Sequence, residues 1–372
     1  MLIGVPKEIK PDEYRVGLVP ATIKELVSRG HTVEVETRAG DGAGISDDEY
    51  LAAGAHIVES ADPILRNADL IVKVKEPLAS ERKKLHRGQT LFTYLHLAPD
   101  PEQTRDLIAS GVTAIAYETV TGPAGQRPLL APMSAVAGRM APQVAAHFLE
   151  RPHGGRGILL GGVEGVAPAD VVVLGGGVVG THTVDVALGM GAKVTVATRS
   201  ATTVERLVGR FGPRITALTA DSRTIEKLCV SADVVVGAAL VDGGAAPKLI
   251  SARTVAAMKP GSVIVDVAID QGGCAETSRA TTHSQPTFIV DHVVHYCVAN
   301  MPGAVPRTST FALNNATRPF ILALADNGCR RALLADPHLR NGLNVYDGKI
   351  THRAVAEALR LAYTPPETVL AA

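Results

Sequence analysis

Tryptophan is absent from this 372-residue chain, and aromatic residues make up only 3% of it. We therefore expect a core built from Val, Ala, Leu and Ile, the residues that buried parallel sheets prefer. Lys plus Arg and Asp plus Glu both number 37, so the formal net charge is zero. This balance gives no reason to expect nucleic acid or an acidic membrane surface as a partner.

Cysteine is scarce, and long apolar runs are missing. Cys229, Cys274, Cys297 and Cys329 show neither CxxC pairing nor the spacing of metal ligands, so we expect reduced thiols and no metal site. The N-terminal MLIGVPKEIK becomes charged after a few residues, and no stretch reaches the roughly 18 apolar residues that a membrane helix needs. These features predict a cytoplasmic protein without a membrane partner.

The segment VVVLGGGVVG carries the strongest pattern in the chain. Its Gly175, Gly177 and Gly180 have G-x-G-x-x-G spacing, between a β-branched run before them and a helical apolar pattern after them; a second strand follows over 193–198. The first glycine permits a sharp turn, the second lets the backbone approach a pyrophosphate, and the third lets the helix pack on the strand. An ordinary tight turn would not require this context. We therefore predict a dinucleotide-binding site.

The end of that second strand departs from the common pattern. An acidic residue there usually binds the adenosine ribose hydroxyls of NAD, but this chain has Thr198, Arg199 and Ser200. An arginine can pair with a 2′-phosphate, and the two hydroxyls can donate to it. The pattern favours NADP over NAD, and the alternative is that Arg199 is a surface residue and NAD binds without an acidic partner.

Strand and helix patterns alternate on both sides of the glycine segment, which predicts an α/β fold with parallel sheets. The simplest arrangement has two Rossmann-like domains. A discontinuous substrate domain comprises residues 1–133 and 306–372, and the dinucleotide-binding domain, 134–305, is inserted into it. Ligands of such sheets bind outside the carboxyl ends of the strands.

Two basic residues follow predicted strands of the first domain. Arg15 lies in a charged loop after the first strand, and a guanidinium can bind a substrate carboxylate with two hydrogen bonds. A strand predicted over 68–75 ends at Lys75. Lys73 shares its face two residues earlier, and strand alternation alone does not choose between the two lysines.

A histidine and an aspartate also follow predicted strands. His96 comes after a strand over 90–95, and an imidazole titrates where it could exchange a substrate proton; a structural histidine is the alternative. Asp270 ends a mostly apolar strand predicted over 262–270, with Asp266 inside the same strand as its competitor. A carboxylate that leaves a buried strand at a ligand site is a candidate for catalysis.

Several longer motifs extend over essentially the whole chain. They are GVPKEI, EYRV, KVKEP, TYLHLA, LLAPMS, GGGVVG, KPGSVIVDVAIDQGG and YCVANMPGAVPRTST. On these motifs the chain closely resembles the bacterial alanine dehydrogenase family. The resemblance implies oxidation of L-alanine to pyruvate and ammonium, the reverse amination, a nicotinamide cofactor, and a homo-oligomer that is commonly a hexamer.

The resemblance also assigns roles to individual positions. The family's substrate arginine and lysine fall on Arg15 and Lys75, and its catalytic histidine and aspartate fall on His96 and Asp270. Its nicotinamide and pyrophosphate neighbours fall on Ser134, Val178, Leu240, Val298, Asn300 and Met301. The departure is Thr198, where NAD-binding members carry Asp, so the resemblance leaves the choice between NAD and NADP open.

Two other functions are compatible with part of the pattern. The nucleotide-handling subunit of proton-translocating transhydrogenase shares the two-domain plan but needs no amino-acid site. A non-catalytic dinucleotide sensor would keep the glycines and have no use for the four candidate residues. The presence of all four residues favours the dehydrogenase.

Overall fold

The chain divides into two compact units in the computed structural model, which describes residues 1–239 and 246–371. The first unit comprises Met1–Met133 and the segment from Val305 onward, and the second is Ser134–Ala304. The outer segments of the chain therefore belong to one unit, and the middle segment forms the other.

Fifteen strands and fifteen α-helices are found in the described residues. The strands are β1 Leu2–Val5, β2 Thr32–Glu36, β3 His56–Val58, β4 Leu70–Val72, β5 Thr90–Thr93, β6 Thr113–Ala116, β7 Asp170–Leu174, β8 Lys193–Thr198, β9 Ile215–Thr219, β10 Val234–Gly237, β11 Val263–Asp266, β12 Thr287–Val290, β13 Val293–Tyr296, β14 Leu343–Tyr346 and β15 Lys349–Ile350. The helices are α1 Pro20–Ser28, α2 Asp47–Ala52, α3 Ala61–Asn67, α4 Ala79–Arg82, α5 Pro101–Ser110, α6 Ala131–Phe148, α7 Val178–Gly189, α8 Ala201–Phe211, α9 Ser222–Ser231, α10 Ala252–Ala257, α11 Pro306–Asn327, α12 Cys329–Ala335, α13 Pro337–Arg340, α14 Arg353–Leu359 and α15 Pro366–Ala371.

The sheet of the first unit has the strand order β15-β14-β6-β5-β4-β1-β2-β3. Strands β1 to β6 pair in parallel, whereas β14 pairs antiparallel with β6, and β15 with β14. The returning helix α11 is joined to the N-terminal segment by Asn314, which accepts hydrogen bonds from Val19 N at 3.3 Å and Thr22 Oγ1 at 2.8 Å. The C-terminal segment thus completes the sheet and core that the N-terminal segment begins.

The sheet of the second unit has the order β12-β13-β11-β10-β7-β8-β9. All pairs are parallel except β12 with β13. The order reverses between β7 and β10, because β8 and β9 lie on one side of β7 and the later strands lie on the other. Ligands of open α/β sheets bind at such a reversal, and the glycine segment directly follows β7.

Aliphatic residues fill both cores, as the lack of tryptophan predicts. Ile64, Leu91 and Val345 are buried in the first unit, and Val172 and Ile264 in the second. The predicted α/β class with two Rossmann-like, mainly parallel sheets is confirmed, and the antiparallel strands lie at sheet edges. Among the helices of the described residues, none combines the length and apolar character needed to cross a membrane. All four cysteines are free thiols.

Three strand predictions were too long. The strand predicted over 68–75 is only Leu70–Val72, the strand predicted over 90–95 ends at Thr93, and the strand predicted over 262–270 ends at Asp266. Buried carboxylates hold the backbone after the first and the last of these strands: Glu8 accepts from Val74 N at 2.7 Å, and Asp266 accepts from Cys274 N, at the far end of the following loop, at 2.7 Å. Neither Lys75 nor Asp270 is therefore a strand residue, which corrects the sequence-based placement of both.

Candidate active site

Three of the candidate residues follow neighbouring strands of the first unit. Arg15 comes after β1, Lys75 after β4 and His96 after β5, and these strands are adjacent and parallel in the order β1-β4-β5. Because the carboxyl ends of parallel strands lie at the same edge of a sheet, the three residues share that edge. This is the edge at which ligands of α/β sheets bind.

Arg15 is 2% exposed and forms a buried ion pair with Glu13. Its Nε donates to Glu13 Oε1 at 2.6 Å, its Nη2 donates to Glu13 Oε2, and its Nη1 contacts Met133 Sδ at 3.0 Å. Burial disfavours the charged guanidinium, but the hydrogen bonds and the negative charge of Glu13 outweigh it and raise the pKa of Arg15 above its ordinary value. Arg15 is thus a permanent cation, and one contact of its Nη1 is to a thioether sulfur, which is a weak acceptor.

Lys73 is fully buried between two carboxylates. Its Nζ lies 2.8 Å from Glu81 Oε1 and 3.2 Å from Glu8 Oε2. Burial raises the pKa of Glu8, although the charge of Lys73 opposes the shift. Lys75 is half-buried, and its backbone N–H donates to Glu8 Oε1 at 3.2 Å. The ammonium of Lys73 is therefore held in a buried ion-pair network, whereas Lys75 contacts that network through its backbone N–H.

His96 adopts the left-handed backbone conformation, with a φ of 50°. The carboxylate of Glu118 accepts from His96 N at 2.7 Å and from Leu95 N at 3.2 Å, and its Oε1 lies 4.0 Å from His96 Nδ1. The imidazole, about half exposed, stacks on the ring of Tyr94 at a centroid distance of 6.0 Å. Left-handed residues other than Gly are uncommon, and the hydrogen bonds from Leu95 N and His96 N to Glu118 hold this turn.

A cavity of about 290 Å³ opens beside Arg15 in the first unit. Charged residues form much of its wall, among them Lys7, Glu8, Lys10, Asp12, Glu13, Arg38 and Asp41. Its lining includes Arg15 but, among the described residues, neither Lys75 nor His96. The cavity alone therefore does not unite the three candidates. Glu8, which lines the cavity with Arg15, accepts a hydrogen bond from Lys75 N at 3.2 Å, and the negative charge of Glu8 acts on the guanidinium of Arg15.

The glycine segment of the second unit fits a dinucleotide. Gly175 has a φ of 113°, and a Cβ there would lie 2.6 Å from Ala238 O, so only Gly suits the turn. A Cβ on Gly180 would lie 2.0 Å from Gly175 O, which explains the close packing of α7 on the loop. A Cβ on Gly177, at the N-cap of α7, would meet no atom within 4 Å. The second glycine thus leaves open space in which a pyrophosphate could approach the backbone.

The loop after β8 and helix α8 lie where the adenosine ribose of a dinucleotide is expected in such a fold. Thr198 is half-buried, Arg199 and Ser200 are exposed, and Ser200 Oγ caps α8 by accepting from Thr203 N at 3.3 Å. Arg206, from the next turns of α8, donates through Nη2 to the carbonyl oxygen of Gly176 within the glycine loop. The residues at this end are cationic and hydroxyl-bearing, which suits an anion.

Asp270 lies in a 3₁₀ turn, Val267–Gln271, directly after β11, and it is exposed. Asp266 is 1% exposed, and its Oδ2 accepts from Cys274 N at 2.7 Å and Ser278 Oγ at 2.6 Å. Asp266 therefore closes the loop that carries Asp270, and it is Asp270 whose carboxylate faces solvent.

The remaining predicted cofactor neighbours belong to the second unit. Ser134 is half-buried in α6, and Val178 is 43% exposed as the first residue of α7. Val298 is buried, while Asn300 has a left-handed backbone and precedes the 3₁₀ turn that starts at the buried Met301. Leu240 lies outside the described residues.

Several residues of these sites were not foreseen from the sequence. Glu13, Glu8 and Glu118 hold the backbone and side chains of the candidates, and Arg206 binds the glycine loop. The charged cluster around Arg15 was visible, but nothing in the sequence showed which carboxylates are buried. Arg206 lies on the helix that Ser200 caps, and its position among the cations of that helix is the signal by which the sequence could have indicated it.

Comparisons with known proteins match nearly the whole length of this chain and agree on one family. The family model described as Alanine dehydrogenase/PNT, N-terminal domain matches residues 4–137, and the model described as Alanine dehydrogenase/PNT, C-terminal domain matches residues 141–353. Alanine dehydrogenase from Halomonas elongata is 56% identical over 370 residues, with 100% of both chains covered. A solved structure of L-alanine dehydrogenase aligns with a TM-score of 0.94 at 51% identity, covering 97% of this chain and 99% of that one.

A more distant structure shares the fold. Transhydrogenase from Sinorhizobium meliloti aligns with a TM-score of 0.83 at 24% identity, covering 94% of this chain and all of the other. At this identity the likeness concerns only the fold. The same two-unit fold therefore occurs in proteins with different activities.

Proposed function

The chain belongs to the alanine dehydrogenase/PNT family, and from this premise we propose that it oxidises L-alanine reversibly to pyruvate and ammonium with a nicotinamide dinucleotide. The observation that carries the proposal is the set of Arg15, Lys75 and His96 at one sheet edge of the first unit. A dinucleotide sensor or a hydride-exchange subunit would have no use for these residues. The first unit would then be the substrate domain and the second the dinucleotide-binding domain.

Arg15 would bind the substrate carboxylate. Its charge is secured by Glu13, and its Nη1 contacts a thioether sulfur at 3.0 Å, which is a weaker acceptor than a carboxylate. Lys75 would share that carboxylate and polarise the carbonyl oxygen of pyruvate. Its backbone is anchored to Glu8, so the ammonium extends from a fixed point.

His96 would exchange the proton of the substrate oxygen. When bound, the nicotinamide supplies the hydride acceptor for the Cα hydrogen of alanine. Water would then add to the carbon of the cationic imine while His96 accepts a proton from it. His96 would pass that proton to the amine of the carbinolamine and take the hydroxyl proton, so that the C=O bond of pyruvate forms as the C–N bond breaks and ammonia leaves. Asp270 would orient the water and the amine and stabilise the cationic imine. An acid/base group in such a position contributes about 10²–10⁴-fold to a rate.

The preferred cofactor would be NADP. A carboxylate after the second strand would repel a 2′-phosphate, and this chain has Thr198 there, followed by the exposed Arg199. An arginine in this region accommodates the 2′-phosphate in other Rossmann folds.

We further propose a cytoplasmic homohexamer, on the resemblance to the family. Sedimentation of the purified protein tests the assembly.

One assay tests the activity and the cofactor together. The oxidation of NADPH and NADH at matched concentrations is followed with pyruvate and ammonium, and again without ammonium. We expect an ammonium-dependent rate, a lower KM for NADPH than for NADH, and a higher KM for NADPH in Arg199→Ala. A rate that does not need ammonium, or no rate with either cofactor, would exclude the proposed reaction. An unchanged NADPH KM in Arg199→Ala would refute its 2′-phosphate role.

A further inference from the structure

Arg206 connects helix α8 to the glycine loop. Its Nη2 donates to the carbonyl oxygen of Gly176, and both terminal nitrogens lie 3.4 Å from Thr181 Oγ1 in the first turn of α7. The helix itself is held close to the loop, because a Cβ on Gly176 would lie 2.5 Å from Thr203 Cγ2. The guanidinium of Arg206 is therefore held at the glycine loop by a rigid element.

The partners of this guanidinium carry no charge. Within residues 1–239 and 246–371, neither Arg199 nor Arg206 forms an ion pair with a carboxylate. Arg210, one turn later on the same helix, binds Asp185 Oδ2 at 2.6 Å. The segment from Thr198 to Val204 also contains no acidic residue. Arg206 thus contacts the glycine loop directly, and Arg199 follows strand β8, whose Ala197 O accepts from Gly175 N at 2.9 Å.

We infer that Arg206 is a specificity residue that binds the 2′-phosphate of NADP together with Arg199. The inference rests on the proposed function, since it requires a dinucleotide in this unit. A phosphate monoester carries a charge of about −1.5 to −2 near pH 7 and offers three acceptor oxygens, and the planar guanidinium binds two of them at once. Charge-assisted bonds to these oxygens would be stronger than the bonds that Arg206 makes to a carbonyl and a hydroxyl.

A purely structural role for Arg206 makes a different prediction. If Arg206 only held Gly176 and Thr181, its removal would disturb the pyrophosphate loop and weaken all adenosine ligands alike. If it binds the 2′-phosphate, its removal would weaken only ligands that carry that group. The two roles are therefore separated by comparing ligands, without reference to turnover.

The experiment is calorimetric titration of the full chain with adenosine 2′-phosphate and adenosine 5′-phosphate. In Arg206→Ala we expect binding of the 2′-phosphate to weaken about 5- to 50-fold, given hydrogen bonds to a charged group at an exposed position, while the 5′-phosphate binds as before. Arg206→Lys keeps the charge and should restore part of the loss. Arg210→Ala is the matched control on the same helix and should change neither affinity.

Several results would overturn the inference. They are equal losses for both ligands in Arg206→Ala, an unchanged affinity for the 2′-phosphate, or a wild-type chain that does not prefer the 2′-phosphate. If Arg206→Ala does not fold, Arg206→Gln, which keeps the reach and removes the charge, takes its place. Selective loss of 2′-phosphate binding in a chain that shows no pyruvate- and ammonium-dependent oxidation would refute the proposed activity and leave the phosphate site standing.

Discussion

Replacing Lys73 by Met should destabilise the first unit severely, whereas the same change at Lys75 should not. Lys73 is 0% exposed and lies between Glu8 and Glu81, so its loss leaves two buried carboxylates without a cation. Removing one partner of a buried ion pair costs about 3–5 kcal/mol. Because each kcal/mol shifts the melting temperature of a unit this large by about 2–4 °C, the expected fall is about 6–20 °C.

The pH dependence of this variant has a definite sign. Burial already raises the pKa of Glu8 above its ordinary value of 4.5, and Lys73 opposes that rise. Without Lys73 the pKa of Glu8 rises further, so the folded chain holds a proton that the unfolded chain has released. Stability then falls as the pH rises from about 4.5 through the folded pKa. Lys73→Met should therefore recover stability relative to the wild type as the pH is lowered from 8 towards 5.

Thermal and urea unfolding, followed by circular dichroism at pH 5, 6.5 and 8, measures both effects. Lys75→Met is the matched control: we expect near wild-type unfolding and a raised KM for pyruvate. Equal stability of the two variants, or a Lys73→Met that loses stability on acidification relative to the wild type, would refute the reasoning.

Two further substitutions test the glycine loop and the histidine. Gly180→Ala should destabilise the second unit and weaken dinucleotide binding, because its Cβ would lie 2.0 Å from Gly175 O. Gly189→Ala is the control on the same helix, since a Cβ there meets nothing within 4 Å. We expect this control to be neutral in urea unfolding and in calorimetric titration. His96→Asn should lower kcat about 10²–10⁴-fold with little change in melting temperature, since Asn tolerates the left-handed backbone. Near-normal turnover in His96→Asn, or an unperturbed Gly180→Ala, would contradict these expectations.

The structural features that depend on residues close together along the chain could be predicted from the sequence. Strand, glycine turn and helix over Asp170–Gly189 follow from β-branched residues and glycine spacing. The structure gives a steric reason for Gly175 and Gly180, and it leaves open space at Gly177. The alternation of elements likewise predicted the α/β class, because periodicity reports which faces are buried.

The strand ends and the supporting charges could not be predicted in the same way. Alternation extended β4 to Lys75 because nothing local shows that Glu8, more than 60 residues earlier, binds the backbone at Val74. Likewise the apolar run after Ser262 extended the predicted strand to Asp270, because nothing local shows that the carboxylate of Asp266 binds the backbone at Cys274 and closes the loop that carries Asp270. Tertiary hydrogen bonds override local propensity at such points, and these are the points where the candidate residues leave the sheet.

The order of segments along the chain has a consequence for synthesis on the ribosome. Strand β6 receives its antiparallel neighbour β14 only after the whole middle unit has been made. At about 5–20 residues per second, the edge of β6 waits on the order of 10–45 s for its partner, while the middle unit emerges complete. A nascent chain of this protein therefore carries strands β1 to β6 without β14 and β15. The unpaired edge of β6 must be kept from pairing with other chains during that time.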